Sequence, residues 1–151
     1  MGSINRLNIT LLLIFSTFSL LLADAPDWQD CPECYEFTAT ISGAVVFNDG
    51  GQMGGDGDIF AAFDTDGNVR GVAIMLIPPF GPYGGTPVFE MQVRSNDAGD
   101  AISFQYYDSS EDNILSIVEG YEFVVNDIIG TVVDPWVIQI GSGNSCADDD
   151  T

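Results

Sequence analysis

The chain has no lysine and no histidine, and Arg6, Arg70 and Arg94 are its only basic residues. Without histidine, serine–histidine and cysteine–histidine nucleophile systems and the usual zinc sites are excluded. Three basic residues face 23 acidic ones, a formal charge of −20. Such a chain is not expected to bind nucleic acid or an anionic membrane surface. It repels its own copies unless salt or divalent cations screen it, which suits a saline medium. Outside the leader no segment carries a sustained apolar period of 3.6 residues, so long helices are not expected either.

What is present is enough apolar material for a core. The 151 residues are 46% hydrophobic, sufficient for one domain, and the dispersed charge does not make the chain disordered. Residues 1–23 read as a secretory signal or a retained hydrophobic segment. Arg6 supplies the positive flank, and Leu11, Leu13, Phe15, Phe18, Leu20 and Leu22 belong to the apolar run. Ala23 suits cleavage, whereas a cut after Ala25 is disfavoured by Pro26. Ser16, Thr17 and Ser19 interrupt the run, which argues against a membrane anchor, and no stable membrane insertion is expected after processing. Asn8-Ile9-Thr10 is a glycosylation sequon that matters only if this segment is retained. The expected location is extracellular.

Cys31, Cys34 and Cys146 are consistent with export. Cys31-Pro32-Glu33-Cys34 precedes the first strand, so a thioredoxin-like redox role does not fit its context. A structural bridge from Cys31 or Cys34 to Cys146 is expected instead. It would close a loop of more than a hundred residues and stabilise the domain by about 4–5 kcal/mol.

Residues 24–34 form an acidic link and a candidate donor segment, 35–141 a β domain, and 142–151 an acidic tail. From Tyr35 to Phe47 apolar and polar residues alternate, the period of a half-buried strand. Ile59–Phe63 and Val69–Ile77 form a hairpin around the turn Thr65-Asp66-Gly67-Asn68. Pro78–Pro87 holds four prolines and three glycines and must be a loop, with Phe80 and Tyr83 upon it. Residues around Phe89–Val93, Ala101–Tyr107, Ile114–Val118, Tyr121–Val125 and Trp136–Ile140 complete seven or eight strands. The expected fold is an all-β antiparallel sandwich, immunoglobulin-like or jelly-roll-like, with an N-terminal extension.

Asp56, Asp58, Asp64, Asp66 and Asn68 are the candidate metal ligands. Alternating oxygen-bearing side chains are what calcium requires, although the twelfth-position glutamate and the flanking helices of an EF-hand are missing. An Asp-Gly turn with solvated carboxylates explains the same residues. Asp97 and Asp100 are a weaker case. No other cofactor is indicated. With so many acidic residues a catalytic carboxylate pair can be chosen anywhere, so none is specific and no enzyme is expected. Trp28, Phe80, Tyr83, Tyr106, Tyr107 and Trp136 are candidates for stacking on glycans, with Tyr106 and Trp136 placed in strands and expected in the core.

Gly57, Asp58, Ile59, Ala61, Phe63, Asp64, Asp66, Gly67, Gly71, Val72 and Ala73 make the pattern GD-x-I-x-A-x-F-D-x-D-G-x-x-x-G-V-A. Ser95, Gly99, Asp100, Ile102, Phe104, Tyr106, Tyr107 and Asp108 follow as S-x-x-x-G-D-x-I-x-F-x-Y-Y-D. Over roughly residues 37–140 this resembles secreted β-sandwich modules of microbial surface and extracellular proteins. The layout of one module behind a leader also resembles the protomers of extracellular helical fibrils. That resemblance implies a homo-oligomeric filament in which an N-terminal β segment, here within Leu11–Trp28, inserts into neighbouring subunits. The rival expectation is a monomeric adhesion or carbohydrate-binding module that uses the proline loop and calcium.

Overall fold

The alternation that begins the domain becomes the longest strand, β1 (Phe37–Asn48), in the computed structural model, which describes residues 24–141. Ala39, Ile41, Ala44 and Val46 of β1 enter the core, with a register shift between Ile41 and Ala44. Such a bulge keeps the apolar side chains on one face as the strand bends. At the bend Gly43 meets the Thr131 carbonyl so closely that no Cβ fits.

The fold is the expected β-sandwich, built from eleven strands among the described residues. One sheet contains β1, β2 (Gly51–Gln52), β5 (Ile74–Leu76), β6 (Val88–Ser95), β10 (Ile128–Ile129) and β11 (Trp136–Gln139). The other contains β3 (Ile59–Phe63), β4 (Val69–Val72), β7 (Ala101–Asp108), β8 (Asn113–Ser116) and β9 (Tyr121–Glu122). Pairings are antiparallel except along the outer edge of β1, where β10 and then β11 run parallel to it. Between the sheets Phe60, Phe89, Phe104, Tyr106 and Phe123 are fully buried. Phe60–Phe89 at 5.7 Å and Phe89–Tyr106 at 5.9 Å meet edge-on, the arrangement favoured by ring quadrupoles, and Phe60–Phe104 is tilted.

The stretch Val69–Ile77, expected as one strand, is divided at Ala73. Its first half, β4, pairs with β3 in the second sheet, and its second half, β5, pairs with β6 in the first. The chain crosses between the sheets there, and Gly71 lies so close to the Gln92 carbonyl that a side chain has no room. At the opposite corner Ile117 bridges Ile140, and the Val118 N–H donates to the Gln139 carbonyl at 2.9 Å. The two sheets are thereby linked at both places.

The disulfide expectation is corrected. Cys31 is bonded to Cys34, and Cys146 lies outside the described residues. Closing four residues constrains the unfolded chain far less than closing a hundred would, contributing about 2 kcal/mol by loop-closure entropy. Its effect is local, fixing a turn in which the Cys34 N–H donates to the Cys31 carbonyl at 3.1 Å.

Candidate functional site

Alternation along β3 and β7 sends Phe60, Ala62, Phe104 and Tyr106 inward and Ala61, Phe63 and Tyr107 outward. The outward three are nevertheless buried, so the outer face of the second sheet has a cover. Residues 24–35 supply part of it, through Pro26 beside Tyr107 and Trp28 on Phe63. They belong to no strand, and no backbone hydrogen bond ties them to one. Asp24 and Pro26 line a 380 Å³ cavity with Tyr107, Asp112, Asn113 and Ile114. Trp28 then packs edge-on against Phe63, with ring centroids 5.1 Å apart.

Beyond Trp28 the strap is fastened at two points on either side of the disulfide turn. Asp30, directly before Cys31, receives hydrogen bonds from Arg94 Nε and Nη2, both at 2.8 Å. Tyr35, directly after Cys34, lies over the Arg70 guanidinium, 4.2 Å from ring centroid to Cζ. Such two-point guanidinium–carboxylate pairing and cation–π contact are among the stronger interactions available near a surface. The bond to Asp30 raises the Arg94 pKa, against the opposing effect of burial. Arg70 and Arg94 are the two basic residues among the described residues, and both hold the strap.

Arg70 also organises the acidic turn. Its Nε donates to Asp64 at 2.9 Å, and its Nη1 reaches Ser95 Oγ at 3.1 Å and the Arg94 carbonyl at 3.3 Å. Asp64 further accepts from the Asp66 and Asn68 N–H groups and from the Asn68 side-chain amide. Burial opposes its charge, but these donors outweigh it and hold the carboxyl down at about 2. Ser95 donates to Asp100 in the same cluster.

Asp58 is a second carboxylate hub, at the other end of β3. It accepts from the Tyr106 hydroxyl at 2.6 Å, the Gly55 N–H at 2.7 Å, and the Ser109 N–H and hydroxyl at 2.8 and 2.9 Å. Burial again opposes the charge, and the donors still lower the pKa. The same burial, with Asp58 beside it, pushes the Tyr106 phenol far up.

The five candidate metal ligands therefore do not converge. Asp56 and Asp58 lie before β3, Asp64, Asp66 and Asn68 after it, and the oxygens of Asp58 and Asp64 already have protein donors. The Ser109 hydroxyl shares its one proton between Asp58 and the Asp56 carbonyl, 2.6 Å away. Among the described residues no group of three or more Cys, Asp or Glu side chains is arranged to hold a metal ion. The candidate stacking aromatics separate likewise. Tyr106 and Tyr107 are buried and Trp136 packs on Phe104, while Phe80 on the proline loop is 65% exposed. Of the assembly segment only Trp28 is described. Leu11, Leu13, Phe15, Phe18, Leu20, Leu22 and the sequon residue Asn8 lie outside the described residues. Residues 24–34, expected as a link or donor, lie against the sandwich.

Sequence reasoning missed Asp30, Tyr35, Phe63, Arg70 and Arg94 as one constellation. The available signal was scarcity: in so acidic a chain each arginine has many suitors, and one lies on each side of the strap's attachment. No family model matches the sequence, and no curated protein or solved structure matches it.

Proposed function

We propose that the chain is a structural subunit of a self-assembling extracellular filament, in which the N-terminal segment of one copy inserts into its neighbours. The observation that supports this reading is the strap itself. Residues 24–35 join neither sheet, and Pro26 and Trp28 within them lie against the outer face of the second sheet through side chains alone. A cover held in this way can be supplied at the same contacts by another copy, since every subunit carries both surfaces. Head-to-tail contacts of that kind extend into filaments when the rotation does not close. Upstream of Asp24 the apolar residues Leu11–Leu22, if retained, would continue into the neighbour as a β segment. Charge repulsion between subunits makes assembly dependent on salt or divalent cations. The role is structural rather than catalytic.

A second reading, a monomeric carbohydrate-binding module, draws on the groove beside the strap's Asp30–Arg94 pair. Thr40, Ser42, Glu90, Gln92 and Arg94 line a 330 Å³ groove on the outer face of the first sheet, with Val72 and Ile74 as its apolar wall. Hydroxyl, amide and carboxylate groups beside an apolar wall suit a sugar. Negative-stain electron microscopy of the secreted full-length chain, with intact mass from the same sample, separates the two. Filaments support the structural role. Monodisperse single-chain particles overturn it in favour of the module.

A further inference from the structure

We infer that the surface receiving a neighbour is the outer face of the second sheet, and that Trp28 of a second copy is the residue that plugs it against Phe63. This rests on the filament reading and specifies its acceptor. The strap is attached unevenly. From Asp30 to Tyr35 it is one short unit: a disulfide holds Cys31 and Cys34 with Cα atoms 5.4 Å apart, and the residues flanking it grip Arg94 and Arg70. From Asp24 to Gln29 nothing comparable exists. Gln29 donates only to its near neighbour Asp27, at 2.7 Å, and Trp28 is held by one ring-to-ring contact and its partial burial.

The strap is therefore a pinned base with an arm. The base stays on its own subunit, because the closed turn keeps Asp30 and Tyr35 together beside the two arginines. The arm is free to leave, since no ladder bond is broken when it does. Extended, the six residues 24–29 alone span about 20 Å, enough to reach across to an adjoining subunit. An arm that leaves withdraws Trp28 from Phe63 and Asp24 and Pro26 from beside Tyr107, two side chains that are buried while it is in place, and exposing them is unfavourable. The arm of the preceding copy relieves that exposure with the same indole, on the same ring, in a geometry that the single chain already demonstrates. Identity of the cis and trans contacts makes exchange nearly neutral per contact.

The test is directed disulfide trapping between two differently labelled chains, each also carrying Cys146→Ser. One chain carries Trp28→Cys and the other Phe63→Cys; they are mixed under assembly conditions and oxidised, and cross-links are mapped by mass spectrometry. A bond between positions 28 and 63 in this mixture joins two chains by construction. Covalent heterodimers linked at 28–63 are expected. Should Phe63→Cys fail to fold, Pro26→Cys mixed with Tyr107→Cys probes the same face. Wild-type filaments without either cross-link would overturn this inference and leave the filament reading standing. Cross-linked pairs without wild-type filaments would support the exchange and overturn the filament reading.

Discussion

Asp30 and Arg94 are 64 residues apart in sequence and meet through two parallel hydrogen bonds of 2.8 Å. The pair fastens a segment outside the sheets to the end of β6, so it controls the strap rather than the core. Arg94→Ala should lower stability by about 1 kcal/mol, the range for a partly exposed charge-assisted pair. It should also make the strap more susceptible to proteolysis than the sandwich. Urea denaturation combined with limited proteolysis checks both, and cleavage confined to residues before Phe37 is the expected pattern.

Asp64 predicts an acid-sensitive limb. Its folded-state pKa is depressed to about 2 from an ordinary value of 3.8. Its stabilising contribution is therefore complete above pH 4 and is lost as pH falls from about 4 towards 2, because the unfolded chain takes up the proton first. Asp64→Asn should flatten the stability profile in that window and leave the slope above pH 5 unchanged, as read from melting temperatures across pH.

Asp58 and Tyr106 make an unequal pair. Tyr106→Phe removes one of several donors to the carboxylate and should cost about 1 kcal/mol. Asp58→Ala leaves the buried Tyr106 hydroxyl and the N–H groups of Gly55 and Ser109 without their acceptor. It should cost roughly 3 kcal/mol. Chemical denaturation of both variants checks the ordering, and equal losses would contradict it.

Much of the sandwich was legible because its strands obey simple periodicity. Phe37–Phe47 alternates, Ile59–Phe63 and Val69–Val72 flank a turn rich in Asp, Asn and Gly, and Phe89–Val93 and Ile102–Tyr106 point every second residue inward. The division at Ala73 was not legible, because apolar residues continue through it and only the paired partner changes. The parallel ladders were not legible either: β10 has two residues and too little pattern to read, and the pattern of Trp136–Ile140 marks a strand without its direction against β1. The aspartates around Gly67 suggested an ion because spacing alone does not say where donors lie. Folding brings Arg70 to Asp64, and the carboxylate is satisfied by protein groups. The strap has no period at all, and its role follows from what it covers.

Gly71 tests the crossing between the sheets. A Cβ at this position meets the Gln92 carbonyl and the Met91 side chain, so Gly71→Ala should destabilise by about 1–3 kcal/mol through overpacking. Gly67→Ala is the useful contrast. Its side chain would meet open space, and the cost there arises from a φ of +83° alone. Thermal melts of the two variants separate steric from conformational loss.

The most direct test of the account is sedimentation velocity on the full chain and on a chain lacking residues 1–28, in the same saline buffer. Large assemblies for the full chain and a folded, single-chain species for the shortened one are predicted, since removing the arm removes Trp28 and everything upstream while the pinned base remains. Polymerisation of the shortened chain, or a full chain that stays monomeric, would contradict assembly through the N-terminal segment.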